Sequence, residues 1–398
     1  MKILICNFEY PPLGGGGGVS TSLLAQEMAR RHEVTVLTSR GNGTPYDSME
    51  NGVRVVRVPV FFRKQQASAN FLSMLAFIPM GIRAGKRLMQ ADPYDIINTH
   101  FVLPTGPVGD ALARFGGIPN VLSLHGGDLY EPSKFLSPHR HLLLRAWVRY
   151  LIRRADMVVG QSRDTLENMH RFYAPEIEGI RIPLGIQRPT QDPALRASYG
   201  FAEDETLLIT VGRLVARKAI AQLIQLMGRW RGRRIHLLIV GTGPQERMLH
   251  EMVSEQRLNS QVHFMGYVEE AEKFRILQMC DLFVSTSQHE GFCLAFLEAM
   301  ACGLPIVCYD HGGQRDFLCN QKTGYLIPLN DLTLFADRCE WLIEQGTLRQ
   351  QISQENQRRA EEFCIDRCAA EYEGVFRAAL QISLEAKGAW ELRSSRVA

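Results

Sequence analysis

Apolar residues in this chain gather in short unbroken runs, separated by longer stretches where they recur at helical spacing. The first half holds KILIC, EVTVLTS, VRVVRVP, YDIINTHF, NVLSLHG, DMVVGQS and IRIPLG, and past Pro189 the series restarts with TLLITVG, IHLLIVG, VHFMGY, DLFVSTS, PIVCYD and GYLIP. Strands that are apolar on both faces, alternating with amphipathic helices, predict βαβ units and mostly parallel sheets covered on both sides. Between the two series lies QRPTQDPALRASYG, whose prolines and polar residues read as a linker. We therefore expect an α/β protein of two doubly wound, Rossmann-like domains facing across a cleft, residues 1–187 and 188–370, with a helical tail over 371–398. Tyr372, Val375, Phe376 and Leu380 form one stripe of that tail; periodicity leaves open whether it packs on its own domain or crosses back to the first.

Composition narrows the partners. A total of 45 basic against 42 acidic residues gives a net charge of +3, which argues for no nucleic-acid partner. Only Cys6 of the nine cysteines lies in the first half, the number is odd, and no CxxC pair occurs, so free thiols in a reducing cytoplasm are expected instead of disulfides or a zinc site. The longest apolar stretch, FLSMLAFIPMGI, contains Pro79 and Gly81 and falls short of the roughly 18 residues a membrane span needs. MKILICNFEYPP is too short in its apolar part for a signal sequence and reads as a first buried strand.

That strand runs into PPLGGGGGVSTSLLAQEM. Strand, glycine loop and helix start are the outline of a dinucleotide fingerprint, with Gly14 and Gly16 as its first two glycines. The third would fall at Val19, and the acidic residue expected about 20 positions on is replaced by Ser39 and Arg40. The nucleotide is therefore expected elsewhere.

The densest chemistry lies in QHEGFCLAFLEAMACGLPIVCYDHGG. Glu290 stands in a loop before a helix starting near Cys293, and Glu298 falls in that helix's second turn; the free amides at the start suit a diphosphate. Upstream, VGRLVARKAI places Arg213 and Lys218 after a strand, two cations able to converge on one anion. Gly241 and Gly243, then Gly312 and Gly313, follow two further strands of the same half, so all should edge one cleft. A hydrolase with Glu290 and Glu298 as acid and base is the competing reading, opposed by the placement of one glutamate inside the helix and by the cationic pair.

The chain resembles the retaining glycosyltransferase family 4, enzymes of GT-B architecture that use nucleotide-activated sugars. The E-x7-E pattern of Glu290 and Glu298 carries the likeness, together with GRLVARK, GTGP, FMGYV and GYLIP in the family's order. The resemblance implies that Arg213 and Lys218 neutralise the leaving diphosphate, that Glu290 holds sugar hydroxyls, and that Glu298 holds the ribose. It places Gly291, Phe292, Cys293 and Leu294 against the donor, with Gly241 and the glycines Gly15, Gly16 and Gly17 contributing bare backbone. In LSLHGGDLY, similar to the family's H-G-x-D loop, it puts His125 against the transferring sugar, with Asp128 and Tyr130 on the acceptor side. The sequence departs from the family in having Ala219 after Lys218, Leu184 where many members have asparagine, and Asp316 where a glutamate is usual.

No two aspartates are spaced as Asp-x-Asp, so positive side chains and helix-start amides are expected to replace a metal, and no cofactor is expected beyond the nucleotide sugar as co-substrate. The acceptor is expected to be a glycan, glycolipid or small molecule. Arg145, Arg149 and Arg153 on one helix, with Arg83, Lys86 and Arg87 on another, offer a basic and apolar surface to an anionic membrane, the bland alternative being solvated helix faces. The localisation expected is cytoplasmic, with or without attachment to the inner face of a membrane. An epimerase or phosphorylase-like enzyme and a non-catalytic sugar-nucleotide-binding subunit are the other functions weighed.

Overall fold

The structure, a computed structural model, describes residues 1–60 and 71–394, with side-chain environments up to residue 386. The last four residues of the expected tail, 395–398, lie outside the described residues. The chain divides into two compact units, Met1–Gly185 joined by the segment from Ile365 onward, and Ile186–Cys364.

In the first unit the described strands are β1 (Lys2–Cys6), β2 (Glu33–Ser39), β3 (Asp47–Glu50), β4 (Val53–Val58), β5 (Ile96–His100), β6 (Asn120–Leu124), β7 (Met157–Gly160) and β8 (Ile180–Arg181). They form one sheet in the order β3-β4-β2-β1-β5-β6-β7-β8, parallel throughout except for β3. Strand β3, sequence DSME, was missed by the apolar pattern because it is a polar edge strand. It pairs antiparallel to β4 and is held by the ion pairs Asp47–Arg54 and Glu50–Arg57, each at 2.7 Å.

The second unit holds β9 (Thr206–Val211), β10 (Ile235–Val240), β11 (Val262–Gly266), β12 (Leu282–Ser285), β13 (Ile306–Tyr309) and β14 (Gly324–Ile327), all parallel, in the order β11-β10-β9-β12-β13-β14. Counting within the unit, that order is 3-2-1-4-5-6, the doubly wound arrangement whose ligands bind where the winding reverses. The reversal falls between β9 and β12. In the first unit the same reversal falls between β1 and β5.

The unit boundary lies two residues before the expected start at 188, and the return to the first unit begins at Ile365, inside the span expected for the second. The helix Ile365–Ser394 explains the difference. Its apolar stripe starts earlier than the expected one and buries Cys368, Ala369, Tyr372, Val375 and Phe376 against Ile3, Val36 and Val55 of the first sheet. Full burial of a side chain such as Phe376 is worth roughly 1.5–3 kcal/mol, which fixes the tail's home.

The expected basic membrane face is largely occupied within its own unit. On the helix Leu142–Arg154, Arg145 and Arg149 donate to the carbonyls of Phe172 and Tyr173, and Arg153 pairs with Glu176 at 2.6 Å. No described helix is long and apolar enough to cross a membrane.

Candidate active site

In the second unit, the loops leaving β9 and β12 carry the charges. After β9 the chain makes a tight turn over Ala216–Lys218, and Ala219 follows at φ 47°. This left-handed position is where the family pattern places glycine, and alanine occupies it at a cost of roughly 1 kcal/mol. The turn is tied to the β12 loop: the Gln288 amide donates to the Arg217 carbonyl at 2.7 Å, and Thr286 Oγ1 to the Ala219 carbonyl at 2.9 Å.

Both cations of the turn then meet Glu290. Arg217 Nη1 lies 2.7 Å from Oε2 and Lys218 Nζ 2.6 Å from Oε1. Burial pushes the Glu290 carboxyl up, but the charges of Arg217 and Lys218 outweigh it and hold the group well below the usual carboxylate range. The backbone of Glu290 is pinned as firmly. Gly313 N–H donates to its carbonyl at 2.8 Å, and a Cβ on Gly312, at φ 109°, would lie 2.4 Å from the same oxygen. Gly312, the first glycine of the pair after β13, is required by this close approach.

Arg213, expected beside Lys218, stands half-buried in the loop before the turn. The cation that shares Glu290 with Lys218 is Arg217, which sequence reasoning passed over although its adjacency to Lys218 was the available signal. Gly241, at φ 126°, lets the β10 loop approach the β9 loop: a Cβ there would lie 2.1 Å from the Gly212 carbonyl oxygen.

The helix Leu294–Ala301 begins one residue after Cys293, whose φ is 71°, and Cys293 Sγ sits 3.7 Å from Lys218 Nζ. Phe292 turns into the core against Phe317, with ring centres 5.0 Å apart, and Leu294 is buried, so these residues offer backbone, not side chain, to a ligand. Glu298 lies in the second turn as expected. Its partner is Lys273, 2.8 Å away on the helix Glu270–Met279; burial nonetheless holds the Glu298 carboxyl above its ordinary value. Nothing local marks Lys273 in sequence, because the contact joins two helices.

In the first unit the five glycines are divided between loop and helix. Gly15 caps the helix Gly16–Ala29 and donates its amide to Glu9 Oε2 at 3.1 Å, so Gly16 and Gly17 open the first turn. A Cβ on Gly16 meets nothing within 4 Å, whereas one on Gly17 would lie 2.3 Å from Cζ of Phe101. Phe101 leaves β5 at φ 67°, a conformation strained for a bulky residue, and stacks on the His125 ring with centroids 4.2 Å apart.

His125 follows β6 and is buried, which drives its imidazole down to about 4. Asp128 accepts from the amides of His125 at 3.0 Å and Val102 at 2.8 Å. Both its oxygens thus brace two loops, where an acceptor contact was expected, and burial raises its carboxyl to about 6. Tyr130 lies parallel to Phe172 at 5.6 Å and packs on His139.

The two sheets each reverse their winding order once, and in the second a cation-clasped carboxylate and a helix N-terminus stand at the reversal, the place where doubly wound α/β folds take their ligands. The chain belongs to the family-4 type of GT-B glycosyltransferases. Residues 15–185 match the glycosyl transferase 4-like domain and residues 191–359 the glycosyl transferases group 1. It is 25% identical over 391 residues to the N-acetyl-alpha-D-glucosaminyl L-malate synthase of Bacillus anthracis, covering 94% of this chain and 97% of that protein. It is 28% identical over 340 residues to a GDP-mannose-dependent alpha-mannosyltransferase of Mycolicibacterium smegmatis, covering 83% and 85%. Its fold matches the sucrose-phosphate synthase of Thermosynechococcus elongatus with a TM-score of 0.82 at 20% identity, over 96% of this chain and 100% of the other.

Proposed function

We propose that this glycosyltransferase is a retaining, metal-independent enzyme that moves a sugar from a nucleoside diphosphate to a glycan, glycolipid or small acceptor. The observation that carries the proposal is Glu290 clasped by Lys218 and Arg217 where the second sheet reverses. A buried carboxylate held anionic by two cations accepts hydrogen bonds and does not deliver a proton, which favours binding of sugar hydroxyls over the acid role of a hydrolase. The GDP-mannose dependence of the mycobacterial relative supports an activated sugar as donor.

In this reading Lys218, Arg217 and Arg213 offset the charge that develops on the departing diphosphate, and the amides of Gly291, Phe292 and Cys293 and the helix start add to it. Glu298 receives the ribose. In the first unit His125, Gly15, Gly16 and Gly17 are assigned to the transferring sugar; in the second, Gly241 shapes the β9 and β10 loops that serve the diphosphate. A thermal-shift panel of UDP-, GDP- and ADP-sugars with and without EDTA is expected to give stabilisation by one of the three series, unchanged by EDTA, and proton NMR of the product to show the donor's anomeric configuration. Stabilisation by none would remove the donor assignment, stabilisation only with metal would remove the metal-free reading, and an inverted product would remove retention.

An anionic membrane as the place of a lipid-linked acceptor draws support from Phe135, Leu136, Leu142 and Leu143, all exposed, with exposed Lys134 and Arg140 among them. Replacing Leu142 and Leu143 by glutamate is expected to abolish sedimentation with phosphatidylserine vesicles. Equal sedimentation of variant and wild type would end the membrane reading.

A further inference from the structure

Behind His125 runs a chain of buried polar groups that the reaction as described does not use. Asn98, on β5, donates through Nδ2 to the Val121 carbonyl at 3.1 Å and to Ser123 Oγ at 2.9 Å, and its Oδ1 faces His100 Nε2 at 2.6 Å. The reverse amide orientation would set two acceptors against each other, since the Val121 carbonyl only accepts. His100 Nε2 therefore carries a proton. His100 is fully enclosed and faces a second imidazole, both of which keep it singly protonated, so its Nδ1 is a bare acceptor. That Nδ1 lies 2.9 Å from His125 Nε2, and the hydrogen bond between them requires the proton to sit on His125. One lone pair is left at the end of the series, on His125 Nδ1, buried and within bonding geometry of no donor among the described residues; the nearby Gln161 amide is engaged by the His125 carbonyl, to which its Nε2 donates.

We infer that Asn98 and His100 are positioning residues that fix His125 as the Nε2–H tautomer and present its Nδ1 as an obligate acceptor for a hydroxyl of the transferring sugar. The ring plane is held by Phe101 on its face, and Tyr372 stacks on His100 at 6.3 Å, so orientation and tautomer are set together. An acceptor-only nitrogen sorts donors by chemistry. A hexose that offers a hydroxyl to Nδ1 satisfies it; a deoxy sugar leaves the buried nitrogen unpaired, and a carboxylate at the same place faces it lone pair to lone pair. The sugar's place at His125 rests on the proposed function, whereas the tautomer does not.

The test uses full-length protein labelled with nitrogen-15 at histidine, read by two-bond nitrogen–proton correlation spectra at neutral pH. The His125 signals are identified by their loss in His125→Gln. His125 is expected to show a protonated Nε2 and a bare Nδ1, and His100→Phe, which deletes the acceptor, to convert the signal to a mixture of tautomers; a Nδ1–H form in the wild type would overturn the inference. Turnover is then measured with the nucleotide sugar giving the largest thermal shift. His100→Phe is expected to lose about tenfold in kcat/KM, the worth of one hydrogen bond, while His100→Asn, whose Oδ1 takes the place of the ring Nδ1, stays within about threefold. Equal losses in the two variants would reduce His100 to a packing residue. A wild type that shows the expected tautomer but transfers no sugar would instead overturn the proposed function.

Discussion

Replacing Lys218 by methionine is expected to lower sugar transfer roughly 10²–10³-fold, the loss seen when one preorganised charge is removed from a transition state. The side chain keeps its length and its apolar stem, so the turn Ala216–Lys218 survives. Only the ammonium disappears. The same change leaves the buried Glu290 with Arg217, at 2.7 Å, as the remaining cation of the turn. Breaking one side of a buried ion pair costs about 3–5 kcal/mol when nothing else compensates, and with Arg217 in place the lower end, about 3 kcal/mol, is expected from urea denaturation. The two losses separate by Glu290→Gln combined with Lys218→Met, which removes the buried carboxylate that has lost one of its two cations. Stability should return while transfer stays low. Transfer by Lys218→Met within threefold of wild type would show that the charge acts on the fold alone.

The second large effect is expected at Gly17, and its contrast with Gly16 makes it diagnostic. An alanine methyl at Gly17 would lie 2.3 Å from the Phe101 ring, which in turn stacks on His125. Overpacking of this kind costs about 1–3 kcal/mol. Because Phe101 is held at φ 67° it has little room to retreat except by pushing on His125, so transfer should fall at least about tenfold, a shift worth one lost hydrogen bond. Alanine at Gly16 meets open space at the start of a helix and is expected to stabilise by about 0.5–1 kcal/mol. Thermal denaturation of the two variants should therefore shift in opposite directions. Shifts of the same sign would mean that Phe101 does not press on Gly17.

The glycine run shows how a motif can be legible in one sense and hidden in another. Read linearly it gives a strand, a loop and a helix start, and those elements form. Its dinucleotide reading fails on Val19 and on Ser39, whose hydroxyl is turned back onto the Phe8 carbonyl at 2.6 Å and is no ribose ligand. What the glycines are needed for depends on Phe101, more than 80 residues away in sequence, and no local pattern announces that contact.

The cations of the β9 loop divide the same way. Arg213 and Lys218 were readable as cations of one loop, but that Arg217 shares Glu290 with Lys218 is decided by the turn that Ala219 closes and by the backbone bonds to Thr286 and Gln288. Lys273 and His100 are further still from local signal, because each acts through a partner supplied by a different helix or strand.

By itself the sequence determined the alternation of strand and helix, the two-unit organisation and the family. It did so because buried parallel strands must be apolar on both faces, because the helices between them repeat at helical spacing, and because family motifs are contiguous in the chain. The tertiary structure alone decided the polar edge strand β3, the home of the last helix, the pairing of Glu290 with Arg217, and the tautomer that Asn98 and His100 impose on His125. Each of these depends on groups distant in the chain meeting at hydrogen-bond or van der Waals distance, and such meetings are set by strand order and register, which leave no mark on local periodicity.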